Sequence, residues 1–122
     1  MTISQNATTD RDLGDAFDLL GSYRRRLVLA RVSGAEEAVP VGWLARELAA
    51  AEGDKPRAAV TATERDRNKI RLHHADIPPL AAAGLIRYDP RRRVVASGDL
   101  PLEGEEWLEM PVVEALEAWN GR

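Results

Sequence analysis

Cysteine is absent from the 122-residue chain, which excludes disulfides, thiolate metal sites, iron–sulfur clusters and thiol nucleophiles together. Histidine occurs only as the adjacent pair His73 and His74, so metal-dependent and base-assisted catalysis lack their usual parts. Ser22 and Ser33 show no recognised catalytic spacing to that pair, and no enzymatic activity is expected. Long apolar runs are missing too, with nothing near the roughly 18 to 20 uninterrupted apolar residues of a bilayer-spanning helix. The opening MTISQNATTDRD has neither a basic n-region nor an apolar h-region, so a cytoplasmic protein without membrane association is expected. Lysine is scarce: Lys55 and Lys69 stand against fifteen arginines. That bias, with abundant alanine and glutamate, points to a GC-rich, salt-adapted source.

What remains is 44% hydrophobic and 30% charged, which suits one compact domain with short appendages. The net charge of −3 is unevenly distributed. Residues 1–21 carry four acids and one base, residues 22–93 nine acids and fifteen bases, and residues 94–122 seven acids and one base. A basic centre between acidic ends suggests a central surface for a polyanion.

Apolar residues at steps of three and four predict the helices. Leu13, Ala16, Phe17 and Leu20 form a short first stripe that Gly21 ends. Ser22 is placed to cap a second helix through Leu27, Leu29 and Val32, stopped by Ser33 and Gly34. Its first turn holds Arg24, Arg25 and Arg26, which oppose the helix dipole, so an external anion or neighbouring acids would help. A third helix begins near Pro40 and carries Val41, Leu44, Ala45 and Leu48. After a break at residues 53–56, Thr61 and Glu64 have capping-box spacing for a long polar helix.

At 100° per residue, with Ile77 as the origin, Ile70, His73, Leu80 and Ala81 fall on the buried side of that helix. Arg65, Asn68, Arg71, Leu72 and Ala75 then point away. Pro78 and Pro79 interrupt the helix, predicting a kink or a new turn capped by Asp76. His73 reads as a hydrogen-bonded core histidine in preference to a ligand, and no metal is expected, because adjacent helix positions diverge by about 100°. Gly84 supplies a stop. Residues 85–96 read as a hairpin, with Asp89 and Pro90 opening its turn and Arg91 and Arg92 at the tip. Beyond Gly98, Asp99 and Pro101, a final acidic helix carries Trp107, Leu108, Val112, Leu116 and Trp119. The expected fold is mainly α with a small β-hairpin. It is a winged helix-turn-helix over residues 13–97, after a flexible lead of residues 1–12 and before an additional C-terminal helix in residues 98–122.

The run Leu72-His73-His74-Ala75-Asp76-Ile77-Pro78-Pro79-Leu80-Ala81-Ala82-Ala83-Gly84-Leu85-Ile86-Arg87-Tyr88-Asp89, with Arg24-Arg25-Arg26 ahead of it, resembles a winged-helix domain common in halophilic archaea. That family joins an Arg-Arg-Arg helix to a Leu-His-His block, a proline, an Ala-Gly-Leu exit and a Tyr-Asp turn. Here Asp76 and Pro79 stand where the pattern has His and Lys. The resemblance implies an archaeal, halophilic source and a role in regulating transcription, and the layout is similar to the ArsR and MarR repressor groups.

On this reading the chain binds double-stranded DNA as a homodimer. Arg65, Asn68, Arg71 and Ala75 would face base edges or phosphates from the recognition helix, Arg91 and Arg92 would reach the backbone from the wing, and Arg24 and Arg25 would add phosphate contacts. Trp107, Leu108, Val112, Leu116 and Trp119 would form the dimer seam. No cofactor and no small-molecule ligand is expected. The alternative is a winged-helix module that binds another protein through the Leu72 face without touching DNA.

Overall fold

The structure is a computed structural model and describes residues 18–100, 102–109, 111, 113, 114 and 117. Of the first predicted stripe, residues 18–20 are helical with Leu19 and Leu20 buried, while Leu13, Ala16 and Phe17 lie outside the described residues. Ser22 caps helix α1 (Tyr23–Ser33) as its sequence suggests, its hydroxyl accepting from the Arg25 N–H at 3.3 Å. Leu27, Val28, Leu29, Ala30 and Val32 are all buried. Four consecutive buried residues exceed one helical face, so α1 is enclosed on several sides by the rest of the fold.

Strand β1 (Val39–Pro40) leads directly into α2 (Val41–Glu52), which buries Val41, Leu44, Ala45, Leu48 and Ala49 on one stripe. Pro40, placed by sequence in the first helical turn, caps α2 from the end of β1 instead. After a single 3₁₀ turn at Arg57–Ala59, helix α3 (Ala62–Arg71) opens with the predicted capping box. The Thr61 hydroxyl accepts from the Glu64 N–H at 3.1 Å, and the Glu64 carboxylate accepts from the Thr61 N–H at 2.9 Å. The Lys55 ammonium reaches both Glu64 oxygens at 2.7 Å. Lys55 first, then Thr61, hold the Glu64 carboxyl down at about 2.

The helix then changes its winding. Leu72–Asp76 form a π-helical turn, in which the Ile77 N–H bonds the Leu72 carbonyl, before α4 (Ile77–Ala82) resumes. Pro78 and Pro79 carry no N–H, and their rings crowd the carbonyls four residues back, so the wider turn falls where regular winding is least tolerable. One extra residue re-phases everything before it by about 100°. The projection from Ile77 therefore fails at Asn68 and Leu72, which are buried, and at Ile70, which is 62% exposed, while Leu80 is buried and Arg71 and Ala75 are exposed as projected; Asp76 is buried as well. Asp76 stands at the N-terminal boundary of α4 but makes no capping bond there.

Gly84 ends α4 at φ +78°, and β2 (Ile86–Asp89) and β3 (Val94–Ser97) form the predicted hairpin. The hairpin is part of a larger sheet. β1 pairs antiparallel with β3 through Val39↔Val95 and Pro40↔Val94, giving three strands in the order β1-β3-β2. A side chain at Gly98 is excluded, because a Cβ there would lie 2.1 Å from the Gly84 carbonyl oxygen. The backbone at Gly98 and Asp99 instead donates to Leu85 and Gly84 at 2.9 and 3.1 Å.

Leu102 and Trp107, the latter in α5 (Glu106–Glu109), belong to the same core as Leu29, Leu44 and Leu80. Trp107 is 0% exposed within one chain, and its indole N–H donates to the Leu102 carbonyl at 3.1 Å. It is therefore not a dimer-seam residue, since nothing of it is left for a second copy to touch. Leu108 packs, half-buried, against that core. Val112, Leu116 and Trp119 lie outside the described residues. Among the described residues no helix is long and apolar enough to cross a membrane.

Candidate functional site

The arginines at the start of α1 turn inward. Arg24 donates from Nε to Asp76 at 2.6 Å, and from Nη1 to Glu52 at 2.6 Å and to the Asn68 side-chain oxygen at 2.5 Å. Arg25 lies 3.6 Å from the other Asp76 oxygen and donates to the Ala75 carbonyl at 3.2 Å. That carbonyl sits four residues before Pro79, which cannot serve it. The buried Asp76 carboxylate thus supplies, from within the chain, an anion for two of the three cations at the start of α1.

Arg24, Arg25 and Asn68 are consequently removed from the expected DNA-contacting set. Asn68 is buried, with its oxygen held by Arg24 and one of its N–H groups donating to the Glu64 carbonyl at 3.1 Å, so it has no edge to offer an adenine. Arg65 is half-buried and lies 3.3 Å from its neighbour Asp66. Arg71 is exposed, as expected, but donates to Glu52 at 3.3 Å. Ala75 is exposed and presents only a methyl group.

The hairpin turn is built the opposite way. The Asp89 carboxylate accepts from the Arg91 and Arg92 backbone N–H groups at 3.0 and 3.2 Å, folding the turn without using either guanidinium. Arg93 closes it at φ 55°, its N–H donating to the Asp89 carbonyl at 2.7 Å and its carbonyl accepting from the Val41 N–H at 3.0 Å. That last bond ties the start of α2 to the turn. The side chains of Arg91, Arg92 and Arg93 are exposed and form no ion pair among the described residues. On α3, Arg67 is exposed and Lys69 half-buried, and neither forms an ion pair among the described residues.

Between α3 and the turn runs an open groove of about 470 Å³ lined by Lys69, Ile70, His73, Tyr88, Pro90 and Arg93, with Asp66 as its one acid. His73 Nδ1 and the Tyr88 hydroxyl are 3.3 Å apart, with the two rings edge to face at 5.7 Å between centroids. Burial first, then Arg93, Lys69 and His74, push the His73 imidazole below its usual range. At neutral pH it is therefore uncharged, and the positive potential of the groove comes from Lys69 and Arg93.

Arg67, Lys69 and Arg93 are residues of this surface that the expected site omits, and Ile70 is one that the sequence projection placed on the buried side. A signal for the correct face existed at the other end of the helix. Counting forward from the Thr61 cap, Glu64, Asn68 and Leu72 recur at steps of four and mark the inner side, leaving Ile70 outermost. The proline pair between Ile77 and Leu80 was the warning against counting backward.

A family model described as Domain of unknown function (DUF7344) matches residues 17–96. No curated protein and no solved structure matches the chain.

Proposed function

The chain belongs to the DUF7344 family, and we propose that it is a duplex-DNA-binding transcriptional regulator of winged helix-turn-helix type that acts as a homodimer. In this reading α2 and α3 form the helix-turn-helix, α3 enters the major groove, and the β2–β3 turn is the wing. One observation carries it. Arg67, Lys69, Arg91, Arg92 and Arg93 remain unpaired among the described residues, on adjoining elements beside the exposed Ile70, in a chain with more acids than bases. Cations that the fold does not neutralise suit phosphates and guanine edges, and an outermost aliphatic side chain suits a thymine methyl. The dimer seam falls to the segment after Trp107, where Val113 stands 55% exposed.

Fluorescence titration of labelled genomic fragments across a salt series tests this. Affinity should fall as salt rises. The Arg91→Ala/Arg92→Ala variant should bind all sequences more weakly, with a log–log salt slope shallower by about 1.8, or roughly 0.9 for each lost phosphate contact. Absence of binding at any ionic strength, or an unchanged slope in the double variant, would overturn the proposal. Leu72, through which the alternative module would bind a protein, is fully buried, so that reading passes to the exposed Ile70; a protein partner captured there, with both arginines dispensable, would put it in place of DNA binding.

A further inference from the structure

We infer that Glu52 sets the affinity of the DNA-binding surface by holding Arg71 back from the phosphates, and this inference rests on the DNA-binding reading above. Glu52 is the last residue of α2. One of its oxygens, Oε1, receives two guanidiniums: Arg24 at 2.6 Å and Arg71 at 3.3 Å. The two donors differ in freedom. The Arg24 side chain is 11% exposed and has Asp76 and Asn68 as further partners, whereas that of Arg71 is 53% exposed and makes no other side-chain bond.

An arriving phosphate therefore competes for one of them only. Arg24 cannot leave without abandoning a buried carboxylate, at a cost that solvent does not offset. Arg71 leaves only a long contact to a half-exposed acid, and a phosphate offers it a shorter, bidentate, charge-assisted one. Three guanidiniums, Arg24, Arg25 and Arg71, on the two carboxylates of Glu52 and Asp76 also leave a net positive cluster, so the restraint does not repel the ligand outright. Arg67 lines the same recess between α2 and α3, together with Glu52, Gly53, Glu64, Asn68 and Arg71. A freed Arg71 would therefore join an unpaired neighbour. Glu52 is a positioning residue in both respects: it completes the grip on Arg24 and sets how readily Arg71 is surrendered.

The test is Glu52→Gln, which keeps an oxygen for Arg24 and removes the charge, in the wild-type and Arg71→Ala backgrounds. Binding is read by fluorescence titration with a labelled mixed-sequence duplex. In the wild-type background the substitution should tighten binding by about fivefold, the scale of one exposed ion pair. In the Arg71→Ala background it should change nothing. Glu52→Asp, which keeps the charge but draws it back by one methylene, provides a second arm should the glutamine variant fail to fold. It loosens the longer Arg71 contact first and should also tighten binding. An equal gain in both backgrounds would reduce Glu52 to a generic negative charge and overturn the inference while DNA binding stands. No gain in either variant would overturn it likewise, and failure of every variant to bind the duplex would remove both proposals together.

Discussion

Arg24 and Arg93 are the same residue type in opposite circumstances. The first is nearly enclosed and bonded to Asp76, Glu52 and Asn68. The second is exposed, occupies a backbone conformation that side chains rarely adopt, and contributes only its peptide groups to the fold. Around Arg24, acids from α2 and the π turn converge on a basic helix start, and charge there holds three elements together. Around Arg93, the one nearby acid of the turn, Asp89, spends an oxygen on backbone N–H groups and leaves the guanidiniums alone. In an arginine-rich chain, the location of the carboxylates therefore separates the arginines that build from those available to bind.

The strongest way to break this contrast is Asp76→Ala. Two guanidiniums would lose their buried anion, and the unfolding free energy measured in urea should drop by about 3–5 kcal/mol. Replacing Arg91 and Arg92 by alanine should move it by no more than about 0.5 kcal/mol. Equal effects would erase the distinction between the two sets.

The contrast within α3 is tested next. Leu72→Ala should cost about 2–5 kcal/mol because Leu72 is fully buried. Ile70→Ala should stay within about 0.5 kcal/mol. A reversed order would restore the face projected from Ile77. The smallest effect is expected at Arg93→Gly. Relief of the left-handed backbone, about 1 kcal/mol, outweighs the added freedom of the unfolded chain, about 0.5 kcal/mol, so the melting temperature should rise slightly. Duplex affinity at low salt should fall in the same variant, and a lower melting temperature would show that the Arg93 side chain serves the fold after all.

What was legible in the sequence was local. The Ser22 cap, the Thr61–Glu64 capping box, the Gly84 stop and the Asp89 turn each depend on residues a few positions apart, and each appears where its spacing places it. What was hidden depends on distant residues or on broken periodicity. Arg24 finds its acid 52 positions away, beyond any spacing rule. The two-residue β1 is too short to carry an alternation, so the hairpin gives no hint of its third strand. Trp107 in a terminal helix reads the same whether it fills its own core or a partner's, and only the packing against Leu102 decides. The arginines of the hairpin tip could be read because a turn faces outward whatever the phase of the helices. The face of α3 could be read only forward from its Thr61 cap, because the phase carried back from Ile77 changes at the π turn.

That turn has a consequence for how such a surface can diverge. Deleting one residue within 72–76 and replacing Pro78 and Pro79 would restore ordinary winding and swing the row containing Ile70 through about 100° relative to the hairpin. The chemical groups on offer would be unchanged while their direction of presentation altered. A one-residue change of length beside the proline pair thus re-aims a whole row of side chains without altering any member of that row.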